Sequence, residues 1–95
     1  MHYEAKKLEN CFADAENYEY RIAISGERFS RLLAEQPEAE LRVNERLRRP
    51  TFIAALPDGT RIKGELAKEL IRVIYTPEKV ATQKAAFEAW LSGLE

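Results

Sequence analysis

Six cations in the middle of the chain are the residues whose type and spacing could do something: Arg42, Arg46, Arg48, Arg49, Arg61 and Lys63. Guanidinium groups are always charged. They carry donors in a rigid fork that matches carboxylate and phosphate oxygens. Between residues 41 and 63 these six bases face only two acids, Glu45 and Asp58. On an extended backbone, alternate side chains share a face. A strand over 40–48 therefore lines up Arg42, Arg46 and Arg48 across roughly 20 Å. Arg61 and Lys63 extend that face from the next strands. Such a strip suits an acidic protein surface or a phosphate backbone. The plain alternative is a solvated face whose arginines pair with the chain's own glutamates.

Other chemistry finds little material. His2 is the only histidine and Cys11 the only cysteine. A structural zinc site takes about four such ligands, so no metal or cofactor is expected. Asp14, Glu16 and Glu19 do not make a calcium loop. Counting from Asp14, the sixth and twelfth positions are Glu19 and Ser25 rather than the required glycine and glutamate. A nucleophile–histidine–carboxylate triad has only a terminal histidine to draw on. Ser25 reads as a helix cap and Cys11 as a packed thiol. Gly26, Gly59, Gly64 and Gly93 are isolated and build no phosphate loop. The 16 carboxylates could in principle supply an acid–base pair, but spacing selects none.

These residues need elements to hold them. At 95 residues the chain is one domain, residues 1–95. Its 45% apolar content is ordinary for a globular fold, and 15 bases nearly balance 16 acids. A lone cysteine gives no intramolecular disulfide. No apolar run approaches the roughly 20 residues that span a bilayer. The expected setting is cytoplasmic.

Leu8, Cys11, Phe12 and Ala15 fall at helical spacing and predict a helix over 4–16. Tyr18, Tyr20, Ile22 and Ile24 alternate with Glu19, Arg21 and Ala23, which predicts a strand over 18–24. Ser25 opens a helix over 26–36, with Phe29, Leu32, Leu33 and Gln36 inward and Pro37 as its stop. The 40–48 segment reads as a strand, with a helix as competitor. Pro57-Asp58-Gly59 makes residues 51–66 a hairpin. β-branched residues make 69–75 a strand, again with a helical competitor. Thr76 and Pro77 open a C-terminal helix over 77–92, whose inner stripe is Val80, Gln83, Ala86, Phe87, Trp90, Leu91 and Leu94.

The expected fold is α+β. It has a mostly antiparallel sheet of four to five strands with two to three helices packed on one face. The expected function is a small non-catalytic binding or accessory module acting through protein–protein contacts. Its partner is another protein or a second copy paired through a sheet edge. Weak nucleic-acid binding through the basic 42–63 face is the alternative, and a small enzyme or enzyme subunit comes third.

Overall fold

A computed structural model of the chain describes residues 1–8, 16–46 and 48–94. The strands are β1 (Tyr3–Lys7), β2 (Glu16–Ile22), β3 (Glu40–Asn44), β4 (Thr51–Ala55), β5 (Arg61–Glu65) and β6 (Leu70–Tyr75). Helix α1 (Gly26–Ala34) follows β2. A single 3-10 turn over Pro77–Lys79 leads into α2 (Val80–Ser92). The six strands form one sheet in the order β1-β2-β6-β5-β4-β3, and every pair is antiparallel. β2 and β3 lie far apart in it, and α1 carries the chain across one face between them. The fold is thus α+β as expected, with six strands instead of four to five and two helices.

Strand parity explains why the helices share one face. Tyr20 and Ile22 on β2, Phe52 and Ala54 on β4, Ile62 on β5, and Ile71, Val73 and Tyr75 on β6 all point one way and are buried. Phe29 and Leu33 of α1 and Phe87 and Leu91 of α2 close over them. Trp90 meets Phe29 edge-on at 5.7 Å between ring centroids and is only half-buried. Ala86, placed on the inner stripe by the sequence, is exposed.

The sixth strand is the principal correction. Residues 4–7, the start of the helix predicted over 4–16, instead lie in β1 and pair with β2, with Tyr3 opposite Ile22 and Ala5 opposite Tyr20. The ring of Tyr3 lies 5.7 Å from that of Tyr20. The terminal amine donates to the carbonyls of Ser92 and Leu94 at the end of α2. These partners are remote in sequence and outweigh a local helical period. Most of that period (Cys11, Phe12, Ala15) lies outside the described residues. A second correction shortens the 40–48 strand. β3 ends at Asn44, whose side-chain oxygen accepts a hydrogen bond from the Arg46 N–H at 3.1 Å. That Asx-type bond turns the backbone out of the ladder. The 69–75 segment is a strand, β6, paired between β2 and β5, and its Ile71, Val73 and Tyr75 are buried on the face that the helices cover.

Two turns are stitched to helices. The Asp58 carboxylate accepts from Thr60 N–H at 3.0 Å, and Gly59 takes the left-handed φ of 96° that this turn requires. Gln83 of α2 is buried and donates to the Asp58 carbonyl at 2.6 Å. It also accepts from Thr76 N–H at 2.7 Å. The Thr76 hydroxyl receives a bond from Gln83 instead of capping the helix. At the other end, Ser25 caps α1 by accepting from Arg28 N–H. The N–H groups of Gly26 and Glu27 donate to Lys68 and Leu66 carbonyls in the β5–β6 turn, at 2.7 and 2.9 Å. Two free donors of the helix start are thereby satisfied.

This docking needs glycine, since a Cβ on Gly26 would stand 2.1 Å from the Glu65 carbonyl oxygen. Gly26→Ala is expected to lower unfolding free energy by about 1–3 kcal/mol, the usual cost of overpacking. Urea denaturation checks this; an unchanged midpoint would mean that α1 is not seated on that turn.

A candidate protein-binding face

The helices cover one face of the sheet, and among the described residues no element covers the other. The register places six side chains in one row across this open face. In strand order they are Arg42, Ile53, Lys63, Arg72, Glu19 and Lys6. With strands about 4.8 Å apart the row is about 24 Å long. The next row holds Glu40, Ala55, Arg61, Ile74 and Asn17. Ile53 is 59% exposed, the most exposed large apolar side chain among the described residues. A groove of about 320 Å³ runs beside it, with Lys63, Glu65, Leu70, Arg72 and Glu19 in its walls.

Among the described residues the cations of these two rows make no ion pair. Elsewhere the chain pairs its cations: Lys7 with Glu16 at 2.9 Å, Arg31 with Glu27 at 2.9 Å, Lys84 with Glu88 at 3.0 Å. Lys68 pairs with Glu65 at the groove's rim, also at 2.9 Å. Among the described residues Arg42, Arg61, Lys63 and Arg72 have no such pair. Lys63 and Arg72 stand directly opposite each other on adjacent strands. Like charges in that position destabilise a sheet.

The sequence-derived strip is therefore rearranged. Arg42, Arg61 and Lys63 do share one face, and they do so across strands rather than along one. Arg46, Arg48 and Arg49 lie in the exposed connection between β3 and β4, outside any strand. Leu47 lies outside the described residues. Arg72 is the cation that sequence reasoning left out. Its signal was parity within 69–75, but only the β5–β6 register puts it beside Lys63.

A second polar cluster lies on the covered side. The Tyr20 and Tyr75 hydroxyls are 2.6 Å apart, and Tyr20 donates to a Glu88 carboxylate oxygen at 2.8 Å. With that proton committed, Tyr75 donates to Tyr20. Lys84 pairs with Glu88 and sits 5.4 Å above the Tyr18 ring. Burial, then the bonds to Tyr75 and Glu88, pushes the Tyr20 hydroxyl far above the ordinary tyrosine range. Burial raises Tyr75 as well. Partial burial pulls the Glu88 carboxyl upward, but hydrogen bonds from Lys84 and Tyr20 outweigh it and hold the group below its usual value. Tyrosines held neutral in this way knit α2 to β2 and β6 and offer no base near neutrality.

No helix among the described residues is long and apolar enough to cross a membrane. Nor do three or more His, Cys, Asp or Glu side chains gather there as metal ligands would. No family model matches the chain, and neither does any curated protein or solved structure.

Raised tyrosine pKa values make stability fall at high pH. The unfolded tyrosines ionise near 10, so the contribution is complete below that pH and is lost progressively above it. In an ultraviolet titration Tyr20 and Tyr75 are expected to stay neutral through the ordinary range and to ionise only with alkaline unfolding. Four tyrosines titrating together in the folded protein would contradict the network.

Proposed function

We propose that the chain is a small non-catalytic binding module, acting in the cytoplasm, that uses its open sheet face to hold an acidic protein surface. The observation that carries this reading is Lys63, opposed by Arg72 on one side and by the exposed Ile53 on the other: among the described residues neither cation makes an ion pair, and the one acid in register, Glu19, faces Arg72 from β2 and leaves Lys63 with none opposite. A fold loses stability by that arrangement, and an acidic partner relieves it. Apolar Ile53, Ile74 and Leu70 between the cations supply area that gains from burial, and arginine is favoured at such contacts.

The chemistry of the face favours protein over nucleic acid. Glu19 interrupts the first row and Glu40 ends the second, and both would repel a continuous phosphate backbone. By register, Tyr3, Tyr18, Tyr20, Phe52 and Tyr75 all belong to the helix-covered side, so none of them is placed to stack a base on the open face.

Lys63→Glu separates stability from binding. Its carboxylate meets Arg72 across the strand pair, so the variant is expected to be more stable than the native protein by about 1 kcal/mol in urea denaturation. In calorimetry, a peptide of alternating glutamate and leucine is expected to bind the native protein and to lose affinity about tenfold or more for Lys63→Glu. Arg31→Glu, on helix α1, serves as a control and should bind like the native protein. Equal binding by native protein and Lys63→Glu, or tighter binding to duplex DNA than to the peptide, would overturn the proposal.

A further inference from the structure

The sheet has two edges, β1 and β3. A free edge exposes backbone N–H and C=O groups and templates another strand. β1 is guarded: it carries Lys6 and Lys7, and lysines discourage edge pairing. β3 reads Glu40-Leu41-Arg42-Val43-Asn44 and has neither lysine nor proline. Its Val43 is 43% exposed, and Leu41 on the same face is only half-buried. Among the described residues Glu40 and Arg42 make no ion pair.

We propose that β3 pairs antiparallel with β3 of a second copy about a two-fold axis at Leu41, joining the two sheets edge to edge. The register follows from the residues. Opposed residues of an antiparallel pair point to the same side, so an axis through a residue keeps both helix layers together and covers Leu41 and Val43. An axis at Glu40 or at Arg42 sets like charges against each other, which is unfavourable. An axis at Val43 sets apolar Leu41 against Glu45. Only the axis at Leu41 satisfies all the side chains. Leu41 meets its own copy, Val43 lies beside Ala39, and each Glu40 stands opposite the second copy's Arg42.

The contact is self-complementary, as a two-fold interface must be. It is also small, one five-residue strand from each copy, so the dimer dissociates on dilution. Of the open-face rows it uses only their β3 ends, Arg42 and Glu40, and not Ile53, Lys63 or Arg72, so sedimentation of Glu40 and Arg42 variants tests it apart from the open-face reading.

Sedimentation equilibrium from micromolar to millimolar concentrations tests it. The native protein is expected to pass from monomer to dimer. Glu40→Arg and Arg42→Glu are each expected to weaken the dimer about tenfold or more, since each turns two attractive pairs into two repulsive ones. An equimolar mixture of the two variants is expected to form a heterodimer of near-native affinity. In it one native Glu40–Arg42 pair is kept, and the introduced arginine faces the introduced glutamate. That recovery also shows that both variants fold. A native protein that stays monomeric throughout, or a mixture no stronger than its components, overturns the proposal.

Discussion

Leu41, Ala54, Ile62, Val73 and Tyr18 stand side by side across five strands, and Val43, Phe52, Gly64, Ile71 and Tyr20 form the row beside them. These two rows are the floor on which both helices rest. Their centre is closed to water: Phe52, Ile62 and Val73 are wholly buried. Gly64 belongs to the floor because Phe52 occupies the space above it. A Cβ there would lie 3.0 Å from the Phe52 ring. Remove the floor and α1 has nothing to cross, so β3 and β4 lose their route to the far side of the sheet.

One constraint follows from area. Two helices cover one face of a six-stranded antiparallel sheet, and among the described residues no element covers the other. The open face must then be polar enough to stay solvated, and most of its side chains are. Its departures from that rule are local: Ile53 exposed, and Lys63 against Arg72. Natural sheets place opposite charges across strands where stability alone decides. Local conflict of this kind in an otherwise consistent sequence is where function is expected to reside. The contrast lies within the same molecule. On the helix side, Glu88 gathers Tyr20 and Lys84 into a satisfied network. On the open side, among the described residues, Arg42, Arg61, Lys63 and Arg72 make no ion pair.

The two ends of the fold are held by different means. Gln83 and Asp58 bind α2 to the β4–β5 turn with side-chain and backbone bonds. α1 is seated on the β5–β6 turn by its own first N–H groups and by the absence of a side chain at Gly26. Both devices rigidify β5 and β6, the strands that carry Lys63 and Arg72. Among the described residues the edge strand β3 has no comparable brace and pairs with β4 alone.

The sequence alone determined much of this molecule. Period-two alternation marked β2 and β5, an apolar run and the Pro57-Asp58-Gly59 turn marked β4 and its hairpin with β5, and Ser25 and Pro77 marked where helical backbone begins. Those signals are local, set by backbone geometry and side-chain shape within a few residues. Tertiary structure decided the rest. Residues 3–7 became a strand because Tyr20 and the end of α2 supplied partners that no local window contains. Asn44 cut β3 short by spending its side chain on the next turn. The basic strip took its shape from strand register, which is settled by long-range burial of one parity. Lys63 and Arg72 are nine residues apart in the chain, and only the β5–β6 pairing makes them neighbours.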